Sequence, residues 1–405
     1  MTKKIGIYGI AGVYNLGCEA IIRGTYENLK NEFENVEWIY FSPNKEKDAI
    51  ALNDLPIEIR ETKKKWVFIK KCFNKMFDIL NVGYQIPYDN YKEIIKSVDT
   101  IISVGGDIYT IPAYLRNKKK YPYYNRLVDF GNLALKMNKK IIIYGASIGP
   151  FGDYSKAVLY YKSHLQKVNL IVARDKFTIK YLADIGISNN VVFLPDPAFA
   201  LRKNEKMINN QSKIIGINLS GLSLMETYGK ITKDTITSLA KVIERIIDCT
   251  GYDILFIPHV FAPYEIDNDF IIENKIIDSM DESYKNRVTI TEKNTFLTIK
   301  DELIQCSIVI AARMHCAINA MSEGIPTILL SYSSKAKGMC EFVYGDTKWV
   351  YDIKKLDNEQ LLFLINELLE NRNAVSQNIV KNLNKKLQKV EYDRAYKILS
   401  KIVNN

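Results

Sequence analysis

Short apolar runs that end in glycine, aspartate or proline alternate with helix-period segments along almost the whole chain, and this rhythm limits the fold more than any other feature. In the first half KKIGIYGI, VEWIYFS, DTIISVGG, KKIIIYGAS, NLIVARD and NVVFLPD read as strands. Between them, Cys18–Phe33 carries Ile21, Ile22, Tyr26, Leu29 and Phe33 at helical spacing, and Tyr123–Met137 and Ser155–Val168 read as further helices. Strands that are apolar throughout, rather than alternating, belong to a parallel sheet covered on both faces. The rhythm stops at RKNEKMINNQSK, which is polar and lacks an apolar period, as a linker does. It restarts with KIIGINLS, a helix over Lys233–Cys249, YDILFIPHV, a helix over Glu265–Met280, RVTITE, and a helix over Thr295–Cys306. SIVIAAR, a helix over Met314–Glu323 and PTILLSY complete the second half, and a polar helical tail spans Asn358–Val403. The chain has 405 residues, too many for one ordinary core. The expectation is an α/β protein of two Rossmann-type, doubly wound domains facing a cleft. They cover residues 1–202 and 213–356, with a linker at 203–212 and a helical segment at 357–405.

Composition narrows the function classes. No run of about 20 apolar residues is present, so no spanning helix is expected. The opening MTKKIGIYGI has basic residues before an apolar run, but the run is short, breaks at glycines and lacks a small-residue cleavage site. A first strand explains it, and the cytoplasm is the expected location. The 6 cysteines (Cys18, Cys72, Cys249, Cys306, Cys316 and Cys340) are scattered without a CxxC. With 3 histidines in the chain, no zinc-type spacing can be assembled, so no metal is expected. The net charge of +10 favours anionic partners: phosphorylated substrates, acidic lipids or nucleic acid. The chain carries no RNA- or DNA-binding signature, so nucleic acid is not expected.

In open α/β sheets ligands sit beyond the carboxyl ends of the strands. GIAGVYNLGCEA follows the first strand, with Gly9, Gly12 and Gly17, and Asn15 and Glu19 as its polar groups. Such a turn either offers backbone N–H groups to a phosphate or simply joins strand to helix, and it is not GxGxxG. VGGD presents Asp107 after two glycines, either into the cleft or as a helix cap. GASIGPF is a rigid loop, VARD sets Arg174 at a strand end, and LPDPAFAL holds Asp196 extended before Pro197. In the second half IPHVFAP carries His259, while His164, within KSHLQK, reads as a surface residue. AARMHCAINAMSEG places Arg313 two residues before His315 where a strand gives way to a helix. The arginine offers a planar fork for carboxylate or phosphate, the helix N-terminus adds positive potential, and the histidine can pass a proton near neutral pH. Such a set suits a small dianion that is protonated or loses phosphate; a structural Arg/His pair is the alternative.

Taken in order, NxGxEA, VGGD, YGASIGPF, VARD, PDPAFAL and RMHxxINAMSxGxPTILLSY resemble the polysaccharide pyruvyl transferase family, from about Ile5 to about Tyr344. The resemblance implies a GT-B-like fold, phosphoenolpyruvate as donor substrate and no further cofactor. It implies as acceptor a sugar of a cell-surface glycan or of its lipid-linked precursor, and a pyruvate ketal bridging two hydroxyls as product. It carries over Arg174, Arg313 and His315 as donor-site residues, with His315 as general acid. Glu19 and Asp107 become the candidate acceptors of hydroxyl protons, Asn15, Asp196 and His259 further substrate contacts. Lys335 and Lys337 either steer the donor phosphate or form a solvated face. One departure stands out: Cys18 occupies the aspartate position of the family's Asn-x-Gly-Asp-Glu, leaving only Glu19.

Finally, Lys63–Leu80 sets Ile69, Phe73, Met76, Phe77 and Leu80 at helical spacing among lysines. Such a helix either lies on an anionic membrane, at the inner face of the plasma membrane, or packs with its lysines in water. Two rivals to the pyruvyl transfer reading share the architecture: a glycosyltransferase using a nucleotide sugar, and a non-catalytic glycan- or anion-binding relative.

Overall fold

A computed structural model describes residues 2–62, 66–80, 84–203, 212–331, 334–356 and 359–404. The chain groups into two units. One comprises Met1–Val13, Ile21–Pro197 and Tyr392–Asn405; the other comprises Tyr14–Ala20 and Ala198–Glu391.

The first unit is built on a parallel sheet of strands β1 (Lys3–Tyr8), β2 (Val36–Ser42), β3 (Ile57–Glu61), β4 (Thr100–Val104), β5 (Lys140–Ala146), β6 (Leu170–Ala173) and β7 (Val191–Phe193). Their spatial order is β3-β2-β1-β4-β5-β6-β7. Chain direction across the sheet reverses between β1 and β4, where Ile7 faces Tyr40 on one side and Ile102 on the other. Ile5, Ile7, Ile102, Ile142 and Ile143 are fully buried, as the unbroken apolar runs require. Ile143 shares one core with Leu127 and Phe130 of helix Arg126–Lys136 and with Tyr161 and Leu165 of helix Ser155–Leu165.

The second unit repeats the plan with β8 (Ile214–Asn218), β9 (Asp253–Phe256), β10 (Val288–Ile290), β11 (Ile308–Ala311), β12 (Thr327–Leu330) and β13 (Val350–Tyr351). The order β10-β9-β8-β11-β12-β13 puts its reversal between β8 and β11. A crevice at such a reversal is where this class of sheet binds ligands. Asn218 ends β8, and Arg313 follows β11 by two residues.

Several expectations need correction. His164 is not on the surface: it is fully buried, its Nδ1 lies 2.8 Å from Asn132 Oδ1, and its ring stacks on Tyr109. The inner face of its helix runs Ala157, Tyr161, His164, and Gly131 makes room, since a Cβ there would lie 2.5 Å from the ring. Burial lowers its pKa to about 4. The expected helix over Glu265–Met280 is broken. Glu265–Asp267 forms a 3-10 turn, and Asn268, in extended conformation, caps helix Asp269–Asp278 by accepting from Ile271 N. The helical tail is not a separate piece: helices Glu359–Glu370 and Arg372–Lys386 group with the second unit and Asp393–Asn404 with the first. Most of the expected linker, residues 204–211, lies outside the described residues.

Candidate active site

In the second unit, Asn15 starts helix Leu16–Leu29. Its Oδ1 accepts from Gly17 N at 3.0 Å, and its carbonyl accepts from Cys18 N and Glu19 N. Leu16 N donates to His259 O at 2.9 Å and Phe261 N to Tyr14 O at 2.8 Å, which fastens this first turn to the segment after β9. Glu19 is fully buried, and its Oε2 accepts from Phe296 N at 2.8 Å, at the start of helix Phe296–Leu303. Cys18 is half-buried and forms no disulfide. Gly17 has a specific reason to be glycine: a Cβ there would sit 2.5 Å from His315 Nδ1 and 3.0 Å from His315 Cβ. His315, the second residue of helix Met314–Ser322, therefore lies directly against the first turn of helix Leu16–Leu29. Two helix N-termini meet at this histidine, and both favour negative charge.

Arg313, extended just before that helix, donates its backbone N–H to Asn218 Oδ1 at 2.9 Å. Its Nε is 3.2 Å from both Asp269 carboxylate oxygens, and Nη2 reaches Asp269 Oδ1 at 2.8 Å and Asp267 Oδ1 at 2.6 Å. Nη1 has no hydrogen-bond partner among the described residues. Burial disfavours the cation, but Asp269 and Asp267 outweigh it and hold Arg313 charged. Asp269 is fully buried and also accepts from His259 N and Asn218 Nδ2. Burial pushes its carboxyl up while Arg313 opposes the shift. Glu273, buried beside it, is pushed further, by burial and then by the charge of Asp269. His259 is a correction: at 1 % exposure its ring belongs to the core, edge-on to Phe296, and burial lowers its pKa to about 3. A ring so enclosed offers no face to a substrate, and its backbone does the positioning.

The first unit gathers a second cluster. Arg174, just after β6, donates from Nε to Ser147 Oγ at 3.0 Å and from Nη1 to Asp196 Oδ2 at 2.7 Å, while Asp107 Oδ1 lies 3.6 Å from Nη2. Burial would lower its pKa, and Asp196, Asp107 and Asp175 together raise it instead. Asp196 is buried against the guanidinium, so it grips the arginine rather than meeting a substrate. Asp107 does not cap a helix; half its side chain is exposed, the outward-facing carboxylate of the cluster. The two glycines before it have distinct reasons. Gly105 has φ +148°, and a Cβ on Gly106 would lie 3.2 Å from Arg174 Nη2. Asp175 accepts from Ser147 Oγ at 2.6 Å and caps helix Lys176–Asp184.

The expected residues thus form two groups: Asn15, Glu19, His259, Arg313 and His315 in the second unit, and Asp107, Arg174 and Asp196 in the first. Lys335 and Lys337 lie on helix Ser334–Tyr344, the first half-buried and the second exposed. Asp267, Asp269 and Asn218 were not singled out by sequence, and Gly17 was named there only as part of a glycine-rich turn. A signal for two of them existed: Asn268 followed by an apolar run is an N-cap pattern that breaks the helix between the two aspartates. Among the described residues no group of three or more His, Cys, Asp or Glu side chains is arranged to hold a metal ion.

Comparison with solved structures shows the fold. HepE from Anabaena, in complex with UDP-glucose, matches with a TM-score of 0.58 at 10% identity, covering 97% of this chain and 98% of its own. A UDP-GlcNAc 2-epimerase from Methanocaldococcus jannaschii matches at 0.55 and 14% identity, covering 95% and 99%. A glycosyltransferase from Rickettsia africae matches at 0.56 and 14% identity, covering 98% and 99%. This is the GT-B architecture of glycosyltransferases and epimerases. In sequence the chain is 23% identical over 420 positions to the amylovoran biosynthesis protein AmsJ of Erwinia amylovora, covering 93% of this chain and 95% of that one. The family model of polysaccharide pyruvyl transferases matches residues 15–334, from Asn15 at the first helix cap to the start of the helix after β12. With the Arg313–His315 strand end inside that match, the chain belongs to the polysaccharide pyruvyl transferase family.

Proposed function

We propose that this protein transfers pyruvate from phosphoenolpyruvate to two hydroxyls of one sugar, in a cell-surface glycan or its lipid-linked precursor, on the cytoplasmic side. The observation that carries the reading is His315 at the convergence of two helix N-termini, two residues after an Arg313 whose Nε and Nη2 are fixed on Asp269 and Asp267. A donor with a carboxylate and a phosphate needs fixed positive groups, and donors that do not reorganise during reaction stabilise developing charge most effectively.

The chemistry follows from these groups. His315 gives a proton to the methylene carbon of the donor, and the adjacent carbon gains oxocarbenium character. A sugar hydroxyl adds there, and its proton passes to a base, for which Asp107 is the exposed candidate. The C–O bond to phosphate then breaks, and a second hydroxyl of the same sugar closes the ketal as its proton leaves with inorganic phosphate. Arg313 meets one anionic group of the donor, and Arg174 is assigned the other. Glu19 holds the helix start at Phe296 rather than taking a proton, because its oxygen is fully buried and hydrogen-bonded.

The test is incubation with phosphoenolpyruvate and a glycan panel, reading inorganic phosphate and the mass gain of the glycan. Phosphate release that depends on a glycan is the expected result. Release of UDP from a UDP-sugar with no turnover of phosphoenolpyruvate would replace this reading with glycosyl transfer, and binding of a glycan without turnover of either donor would replace it with a non-catalytic role.

A further inference from the structure

Helix Val67–Ile79 is amphipathic the wrong way round for a soluble protein. Its inward face is polar. Asn74 is buried, donating to Ile86 O at 3.1 Å and accepting from Ile86 N at 2.7 Å. Lys70 Nζ donates to Pro87 O at 2.6 Å, and Asp78 accepts from Gln85 at 2.7 Å. The outward face is apolar: Phe68 is 80% and Ile79 72% exposed, and Ile69, Phe73, Met76 and Leu80 are also exposed. At 100° per residue Phe68, Ile79, Cys72, Met76, Ile69, Leu80 and Phe73 fill one uninterrupted arc of roughly 140°. Exposed Lys75 and Lys71 border that arc along its Phe68 edge, Trp66 stands exposed just before the helix, and Lys63, Lys64 and Lys65 precede it in sequence.

We infer that this face docks the protein on an anionic lipid bilayer, with the helix lying in the plane of the interface. An apolar arc bordered by lysines, with a tryptophan at its end, matches the layered chemistry of that interface: acyl boundary below, anionic headgroups at the rim. The polar clasp to residues 85–87 holds the helix on the first unit while turning its apolar side outward. The inference is independent of the reaction assigned above, since it concerns binding alone. It places the protein where a lipid-linked saccharide would be met.

Trp66 provides the readout. The other two tryptophans, Trp38 and Trp349, are buried, so a change in emission on adding vesicles reports Trp66. Full-length protein is mixed with vesicles of phosphatidylcholine alone and with vesicles containing phosphatidylglycerol. Co-sedimentation and a blue shift with the anionic vesicles, weakening as salt rises, are expected. Phe68→Glu with Phe73→Glu should reduce partitioning by about tenfold or more, from the loss of two buried apolar side chains. Lys71→Glu with Lys75→Glu should abolish the preference for anionic over neutral vesicles. No binding by the parent protein to either vesicle overturns the inference. So does a concentration-dependent dimer, by sedimentation equilibrium, that the phenylalanine variant abolishes: the face would then cover a second copy of the chain.

Discussion

Gly17→Ala separates the geometry of the site from the stability of the fold. The added methyl would lie 2.5 Å from His315 Nδ1, 2.8 Å from Cγ and 3.0 Å from Cβ. Carbon contacts relax near 3.5–4.0 Å, so the imidazole has to retreat by roughly 1 Å. Rotation about χ1 moves Nδ1 and Cγ but leaves Cβ in place, so the start of helix Met314–Ser322 must shift as well. Gly17 is within a helix and its φ is not positive, so alanine gains about 0.5–1 kcal/mol of helix propensity. Overpacking costs about 1–3 kcal/mol, which leaves a net loss of about 2.5 kcal/mol at most. Turnover is far more sensitive: a displacement of about 1 Å in a reacting group costs on the order of 10²-fold. The expected outcome is a folded protein, with a urea midpoint close to that of the parent, whose glycan-dependent phosphate release falls by about two orders of magnitude. His315→Ala should cost roughly 10²–10⁴ in the same assay. His315→Gly removes the Cβ as well as the imidazole, so Gly17→Ala combined with His315→Gly should be no slower than His315→Gly alone. Full turnover in Gly17→Ala, or losses that multiply in the double variant, would refute the close packing as the device that sets the histidine.

Replacing Arg313 or Arg174 with alanine should weaken phosphoenolpyruvate binding by about 2–5 kcal/mol, as when a desolvated charge loses its partner; calorimetry with near-parent affinity in both variants removes the donor assignment. Asp269→Ala leaves the buried Arg313 with Asp267 as its one ion-pair partner among the described residues, and a loss of about 3–5 kcal/mol in stability is expected from urea titration. His164 and His259 stay neutral in the folded protein to about pH 4 and about pH 3, whereas the unfolded chain protonates them from about pH 6.5. The unfolded state therefore binds more protons as pH falls, and stability drops by about 2 kcal/mol per histidine between pH 6.5 and pH 5. His164→Gln and His259→Gln should each flatten that dependence, and an unchanged slope in both would assign the acid sensitivity to other groups.

Among the described residues, eleven strands were legible, most of them as an apolar run ended by a turn residue. The other two fail that test for different reasons. β3 is IEIRE, an edge strand whose alternating charges keep it from pairing outward, and β13 has two residues. Helix Ser155–Leu165 was legible as a helix, but its buried face was not, because His164 takes an inner position that only the space over Gly131 permits.

The two site arginines show where sequence reading runs out. Each follows a strand of its sheet, so its place is a local property, readable from the apolar run before it. What decides its chemistry is the carboxylate that grips it, and that group comes from far along the chain. Asp196 lies 22 residues from Arg174, and Asp269 lies 44 from Arg313. No periodicity links such positions; they meet because parallel strands set successive loops at one edge of the sheet. The consequence for recognition is direct. An isolated arginine at a strand end would present its whole fork to a carboxylate or phosphate. Arg313 instead has its Nε and Nη2 fixed on Asp269 and Asp267, so it offers a ligand one nitrogen in one orientation. Under the proposed reading the other contacts to the donor fall to Arg174, His315 and the backbone N–H groups of the converging helices, and the glycine at position 17 is what lets His315 lie against them.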